Sequence, residues 1–287
     1  MQTGVWRNAQ PHIGAHDYLV STNLLSPRRF MLNSRLLPAA DDPLHFVVLL
    51  HAFPLSTAMW DRMAVELESI RDDTTLLLVD LPGFGESPLH EGWTMKGIAK
   101  EIREAILVHT PDRIILGGLS MGGYAAFAFY REYPSMLRGI VLSNTKAEVD
   151  SEEAKAYRAE FAADALARGA DAAIDRLYSK FVTEDTDAEI AIDIRSWMSE
   201  AQPRAIADAL GAMAAREDST DLLKLISIPA LVISGSEDET IAAEIQRKMA
   251  KELHGATYVE MNGAAHLTAS ERPLEWAEAF ASFLDRV

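Results

Sequence analysis

The sequence of 287 residues contains no cysteine. This excludes disulfide bonds, thiolate metal sites and a cysteine nucleophile. Basic residues are also scarce, with 27 lysines and arginines against 43 acidic residues and a formal net charge of −16. Such a charge repels phosphate backbones and anionic membrane surfaces, so neither nucleic acid nor a membrane is an expected partner.

Long apolar runs and common cofactor motifs are missing as well. No stretch approaches the ~20 apolar residues that span a bilayer, and residues 1–8 lack the basic start and apolar core of a secretion signal, so we expect a cytoplasmic protein. Gly83-Phe-Gly85 lacks the third glycine of a dinucleotide-binding loop, and the eight histidines include no His-Glu-x-x-His pattern. We therefore expect neither a cofactor nor a metal site.

Short apolar runs alternate with longer helical patterns, which is typical of an α/β fold with a mostly parallel central sheet and helices on both faces. The predicted strands are residues 46–50, 75–79, 113–116, 139–142, 230–233 and 257–261. The predicted helices are residues 59–70, 95–109, 121–132, 241–253 and 273–287. Residues 30–37 are expected to form an edge strand or a hairpin, and residues 1–27 show no clear pattern.

One segment interrupts the alternation of strands and helices. From 146 to 222 the sequence shows Ala-rich and acid-rich helical periodicity and no convincing strand. We interpret residues 146–222 as a helical cap that is inserted between two parts of one core, residues 1–145 and 223–287.

Ser120 lies between glycines at the junction of a predicted strand and a predicted helix. The strand that ends near Leu116 suits burial on both faces, and the helix begins at Met121. Gly118 and Gly122 complete the spacing Gly-x-Ser-x-Gly, in which a tight turn exposes the serine hydroxyl above the sheet. This pattern predicts a nucleophile.

A serine hydroxyl needs a base to accept its proton and a carboxylate to orient that base. Downstream, Asp238 lies in a turn-rich segment after one predicted strand, and His266 lies in a similar segment after the next. The order Ser120, Asp238, His266, each after a strand, predicts a catalytic triad.

These motifs resemble those of the α/β-hydrolase fold family along nearly the whole chain. The further matches are His51-Ala-Phe-Pro54, the turn from Asp80 to Ser87, Gly235-Ser-Glu-Asp238 and Gly263-Ala-Ala-His266. Ala52 departs from the family's usual glycine, and Thr240 stands close to where many members have proline.

The resemblance implies several site residues beyond the triad. The backbone N–H groups of Phe53 and Met121 are expected to form the oxyanion hole. Some similar hydrolases take their acid from the loop after the sixth strand, where Glu148 and Asp150 stand, so these remain alternatives to Asp238. His51 is expected to pack beneath the oxyanion loop, and Asp80 to hold its own turn.

The expected function is that of a serine hydrolase that cleaves carboxylic esters or lactones through an acyl-enzyme on Ser120. Trp197, Met198 and Met213 of the predicted cap are candidates for binding a small-molecule substrate. Further segments, such as residues 142–147 and 212–220, are similar to the esterase and 3-oxoadipate enol-lactonase-like group.

An enol-lactonase must bind the free carboxylate of its substrate. Arg195, Arg204 and Arg216 are candidates for that contact, although we expect each to be a solvated charge on a helix surface. Carbon–carbon bond hydrolases, perhydrolases and thioesterases use the same triad, and a non-catalytic receptor for small ligands can share the fold. These alternatives and the oligomeric state stay open.

Overall fold

The structure is a computed structural model that describes residues 31–40 and 43–287. Seven strands of the described chain form one sheet. They are β1 Ser34–Leu37, β2 His45–Leu50, β3 Thr74–Val79, β4 Ile114–Leu119, β5 Leu137–Ser143, β6 Ala230–Gly235 and β7 Thr257–Met261.

Eleven α-helices are present in the same described residues. They are α1 Asp61–Ile70, α2 Met95–Leu107, α3 Met121–Glu132, α4 Glu152–Arg168, α5 Ala170–Phe181, α6 Ala188–Ser199, α7 Pro203–Ala214, α8 Thr220–Leu223, α9 Ala243–Glu252, α10 Thr268–Glu271 and α11 Pro273–Leu284. Among the described residues, no helix combines the length and the apolar character that a membrane crossing requires.

The sheet has the strand order β1-β3-β2-β4-β5-β6-β7. Only β1 runs antiparallel to its neighbour, β3, and the other pairs within this described sheet are parallel. Every residue of β3, β4 and β6 is buried, because helices cover both faces of a parallel sheet. The predicted α/β-hydrolase architecture is confirmed.

Two strand boundaries differ from the sequence-based prediction in an informative way. β4 continues past Leu116 to Leu119, because Gly117 and Gly118 pair with β5 as ordinary strand residues and do not start the turn. The predicted edge element at 30–37 is a strand only from Ser34 to Leu37, and Phe30 lies outside the described residues.

Helix α11 shows how a local pattern becomes packing. Its stripe of Trp276, Phe280 and Leu284 is fully buried, since these residues recur at helical spacing on one face. Trp276 meets Trp60 edge-on, with ring centroids 5.5 Å apart. This face attaches α11 to α1 and to β7.

Between β5 and β6, residues 144–229 contain five helices and no strand, and all of them lie in the described part of the chain. Helices α4 and α7 pack closely on each other, as do α5 and α6. We call residues 152–214, which hold α4 to α7, the helical insertion. Whether its limits as an independent unit are 146 and 222 remains a prediction.

The parallel strands place their carboxyl ends along one edge of the sheet, where ligand sites of open α/β folds lie. The loops after β2, β4, β5, β6 and β7 meet at this edge. They carry Phe53, Ser120, Asn144, Asp238 and His266, respectively.

Candidate active site

Ser120 occupies a strained turn between β4 and α3. Its backbone has φ 55° and ψ −111°, in the left-handed region that side chains other than glycine rarely adopt. A Cβ at Gly118 would lie 2.2 Å from the backbone of Gly122, and a Cβ at Gly122 would lie 2.2 Å from the Leu50 carbonyl oxygen. The two glycines are therefore required for strand and helix to approach this closely.

Hydrogen bonds hold Ser120 in this conformation. Its N–H donates to the Ser143 carbonyl oxygen at 2.9 Å, and its own carbonyl oxygen accepts from Thr145 Oγ1 at 2.9 Å. Because the surrounding structure fixes the backbone on both sides, the strain persists in the folded state, as is common at functional sites.

Asp238 and His266 form a buried pair. Nδ1 of His266 lies 3.0 Å from Oδ1 and 2.9 Å from Oδ2 of Asp238. The side chain of His266 is 1% exposed and that of Asp238 is 0% exposed, so water does not compete for this contact. The carboxylate can therefore fix the Nδ1–H tautomer and leave Nε2 to accept a proton.

Four donors surround the Asp238 carboxylate. Besides His266, the backbone N–H groups of Thr240 and Ile241 donate to Oδ1 at 2.8 and 2.9 Å, and Asn144 Nδ2 donates to Oδ2 at 3.0 Å. Burial alone would raise the pKa of Asp238, but the interaction with His266 and these hydrogen bonds together lower it below its usual range. Asp238 is thus held as an anion.

Asn144 is a site residue that sequence reasoning missed. It is fully buried, with φ 47°, and its Oδ1 accepts from Ser143 Oγ at 3.0 Å and Thr268 Oγ1 at 2.6 Å. This fixes the amide so that Nδ2 faces Asp238. The polar run Ser143-Asn144-Thr145 directly after a buried strand was the available signal, since asparagine tolerates a left-handed backbone.

The loop that carries His266 is fixed by a buried carboxylate, Glu271. Its Oε2 accepts from the Ala265 N–H at 3.0 Å, and its Oε1 accepts from the Leu267 N–H at 3.0 Å. On the other side, the ring of Phe181 in the helical insertion stacks on the imidazole of His266, with centroids 5.3 Å apart. His266 is therefore held from both the core and the insertion.

Ser120 and His266 line the same cavity, of about 210 Å³, between the strand edge and the helical insertion. Its apolar wall includes Phe53, Phe161 and Met213, and two cationic side chains, Arg158 and Lys180, also line it. A small apolar cavity with a few polar groups is the usual form of a small-molecule site.

The predicted substrate contacts divide into two groups. Met213 lines the cavity, whereas Trp197 and Met198 are not among the described residues that line it. Met198 is fully buried, and Trp197 is half-buried against the core. The structure instead brings Tyr157 and Phe161 of α4 and Leu177 and Phe181 of α5 to the cavity.

The structure also bears on the other charged candidates. Asp150 is paired with Arg158 and Arg216. Within the described residues neither Asp150 nor Glu148 is hydrogen-bonded to His266, whose carboxylate partner is Asp238. Arg216 is not the solvated surface charge that we expected, because its side chain is 4% exposed. Arg195 and Arg204 are exposed, and neither lines the cavity within the described chain.

The predicted oxyanion residues lie close to this cavity. Phe53 lines it, and Met121 is the first residue of α3, directly after Ser120. The first amides of a helix have no acceptor within it and lie at the positive end of the helix dipole, so they suit a developing negative charge.

His51 and Asp80 support the neighbouring loops. His51 Nδ1 lies 2.9 Å from the Ala52 carbonyl oxygen, and Nε2 accepts from the Leu81 N–H at 2.9 Å. Burial lowers the pKa of His51, so it stays neutral. Asp80 accepts from the N–H groups of Thr57 and Glu86 at 2.8 and 3.2 Å, which holds its turn as predicted.

Among residues 31–40 and 43–287, no cluster of three or more His, Asp or Glu residues suits a metal ion.

Comparisons with known proteins agree with this architecture. The model of the alpha/beta hydrolase family matches residues 47–279. An esterase from Thermogutta terrifontis, solved with malate bound, is 33% identical, covers 89% of this chain and 93% of its own, and superposes with a TM-score of 0.83.

Two further relatives have named activities. The pimeloyl-[acyl-carrier protein] methyl ester esterase of Neisseria meningitidis serogroup C is 28% identical over 251 residues, which are 84% of this chain and 92% of the relative. The structure of the enol-lactonase from Burkholderia xenovorans is 25% identical, with a TM-score of 0.76 and coverage of 88% and 96% of the two chains.

Proposed function

The chain belongs to the alpha/beta hydrolase family, and from this membership we propose that it hydrolyses carboxylic esters or lactones through an acyl-enzyme on Ser120. The observation that carries the proposal is the contact of His266 Nδ1 with Asp238 at 2.9 Å, on a histidine that shares its cavity with Ser120. The esterases and the enol-lactonase among its relatives support the same reaction class.

In the first half of the reaction, the Ser120 hydroxyl oxygen attacks the substrate carbonyl carbon while His266 Nε2 takes its proton. Asp238 accepts the Nδ1–H bond and stabilises the imidazolium that forms. The N–H groups of Phe53 and Met121 donate to the carbonyl oxygen as it gains negative charge. The C–O bond to the alcohol then breaks, and the alcohol leaves with the proton from His266.

In the second half, water attacks the acyl carbon while His266 takes one of its protons. The tetrahedral intermediate collapses, the ester bond to Ser120 breaks, and the serine oxygen recovers a proton from His266. The products are one carboxylic acid and one alcohol, and the protein returns to its initial state. A lactone follows the same steps, with both groups retained in one hydroxy acid.

The backbone geometry supports Ser120 as the nucleophile. Ser120 has the strained backbone and the two tight glycines typical of a nucleophile elbow. The same triad serves carbon–carbon bond hydrolases, perhydrolases and thioesterases, so the triad alone does not distinguish these reactions from ester hydrolysis.

The test is turnover of p-nitrophenyl esters from acetate to decanoate, together with labelling by a fluorophosphonate probe. We expect the wild-type protein to hydrolyse short esters and to be labelled, and Ser120→Ala to do neither. Labelling that persists in Ser120→Ala would reassign the nucleophile. A wild-type chain that shows neither turnover nor labelling would instead support a receptor. Simple esters, lactones, thioesters and 2-hydroxy-6-oxo dienoates, assayed side by side, separate the remaining hydrolases.

A further inference from the structure

The cavity beside Ser120 carries positive charge, although the chain as a whole is strongly acidic. Arg158 and Lys180 line it, in a protein with a formal net charge of −16. Glu239 is the one acidic side chain among the described residues that line the cavity, and it is exposed. Two cations at one cavity of such an acidic protein suggest that this cavity requires positive charge, which the overall composition does not supply.

Arg158 belongs to a cluster in which three cations contact one carboxylate. Its Nε donates to Asp150 Oδ2 at 2.5 Å, Arg216 Nη2 donates to Asp150 Oδ1 at 2.8 Å, and Lys146 Nζ lies 3.5 Å from the same oxygen. Burial would raise the pKa of Asp150, but hydrogen bonds from Arg216 and Arg158 hold it far below its usual range. Asp150 therefore contributes one negative charge against three positive ones.

The guanidinium of Arg158 retains donor capacity toward the cavity. Its Nε binds Asp150, and its Nη1 makes a long contact of 3.5 Å with Met213 Sδ. Within the part of the chain that the structure describes, Nη2 has no hydrogen-bond partner. The side chain is 20% exposed, so a ligand can reach it.

Lys180 is a half-buried lysine at the carboxyl-terminal end of α5. No carboxylate of the described residues lies within ion-pair distance of its Nζ, and Glu239 on the same cavity is not paired with it. Partial burial of an unpaired ammonium costs free energy, which an incoming anion would recover. Lys180 therefore favours an anion in the same cavity as Arg158.

We infer that the substrate of the Ser120 site is an ester that carries a carboxylate, and that Arg158 and Lys180 bind this carboxylate. The inference rests on the proposed function, because it places the ester carbonyl at Ser120. Charge-assisted hydrogen bonds from both cations orient the substrate. The chain between the ester and the carboxylate packs on Phe161 and Leu177, which line the same cavity.

Recognition by partly desolvated cations produces discrimination as well as affinity. A substrate of the same length without a charge leaves Lys180 unpaired in the complex, and such unsatisfied polar groups reject analogues strongly. Screening by salt weakens the attraction but does not remove it, because the groups are partly buried.

The test compares substrates that differ only in charge. Monomethyl glutarate and its terminal amide place the group in the acyl half, and 4-acetoxybutanoate and its amide place it in the alcohol half. We expect kcat/KM for at least one of the two acids to exceed that of its amide by about 10-fold or more, as hydrogen bonds to charged groups produce. The pair that shows the preference identifies the half that bears the carboxylate.

Variants assign the preference to residues. Lys180→Met should reduce it by about 10-fold by lowering turnover of the acid and not of the amide, and Lys180→Arg should restore it. Lys248→Met is the matched control, because Lys248 is exposed on α9 and does not line the described cavity. Arg158→Lys tests the second cation while keeping a charge beside Asp150.

Binding to the Ser120→Ala protein, measured by calorimetry, separates this inference from the proposed function. If the acid binds this variant about 10-fold more tightly than its amide does, and Lys180→Met removes the difference, recognition stands even if turnover is absent. If both acids bind no better than their amides, or if Lys180→Met and Lys248→Met behave alike, the inference is wrong, although Ser120 can still be the nucleophile.

Discussion

Replacing Asn144 by glycine should lower kcat for ester hydrolysis by about 10- to 100-fold and leave KM nearly unchanged. The variant removes the hydrogen bond from Nδ2 to Asp238 Oδ2, 3.0 Å long and fully buried. Hydrogen bonds to charged groups contribute about 1.5–3 kcal/mol, which corresponds to about 10- to 100-fold in rate. Asp238 keeps its two backbone donors and His266, so the loss should stay below that of the carboxylate itself.

Glycine is the informative replacement because Asn144 has φ 47°. An alanine there would add backbone strain of about 1–2 kcal/mol, whereas glycine adopts this conformation freely. Asn144 does not line the described cavity, which is why KM should not move. The steady-state kinetics of p-nitrophenyl acetate hydrolysis measure both constants, and a thermal unfolding curve shows whether the lost bonds to Ser143 and Thr268 affect stability.

A double-mutant cycle decides whether the effect passes through Asp238. In an Asp238→Ala background, Asn144→Gly should change kcat by less than about threefold, because the group that Asn144 orients is already missing. An equal loss in both backgrounds would show that Asn144 acts elsewhere. A kcat within twofold of wild type for the single variant would refute the argument at once.

Three further outcomes follow from the same geometry. Asp238→Asn should lower kcat by about 10⁴-fold, whereas Glu148→Gln should change it little, and the reverse ranking in the same assay would relocate the acid. Gly122→Ala should prevent folding, because its Cβ would lie 2.2 Å from a carbonyl oxygen, while Gly211→Ala meets nothing within 4 Å and should fold normally by circular dichroism. Asp150→Asn should lower the free energy of unfolding by about 3 kcal/mol near neutral pH, because it leaves its cations unpaired. Since folding depresses the pKa of Asp150, this stabilisation is present above its ordinary value of about 4 and is lost as pH falls further, so denaturant titrations of variant and wild type should converge in acid.

The parts of the site that follow directly from local sequence were predictable. Ser120 and Asp238 come soon after fully buried strands, and His266 comes soon after β7, which is only partly buried. Parallel strands bring the loops that follow them to one edge of the sheet. The turn at Ser120 carries an additional signal in its two glycines. Gly118 and Gly122 stand where neighbouring backbone atoms leave no room for a side chain. For these three residues, the reactive side chain and the strand that positions it lie within a few residues of each other in the sequence.

The substrate side of the cavity was harder to predict. Helical periodicity in residues 146–222 shows which residues share a face, but it does not show whether that face meets another helix or an open cavity. Trp197 and Met198 are apolar and suitably spaced, yet Met198 is buried away from the cavity, whereas Phe181 stacks on His266. Only the tertiary packing of α5 and α6 distinguishes them.

Charge at the cavity is further still from any local pattern. Asp150 lies just before the helical insertion, Arg158 lies on α4 and Arg216 lies just beyond α7, and their contacts span up to 66 positions along the chain. An arginine in an acidic, alanine-rich segment suggests a solvated surface, and for Arg216 this expectation was wrong. The surplus of positive charge exists only once Arg216 joins Lys146 and Arg158 on one carboxylate, that of Asp150, so the substrate's charge can be inferred from tertiary structure and not from a local sequence pattern.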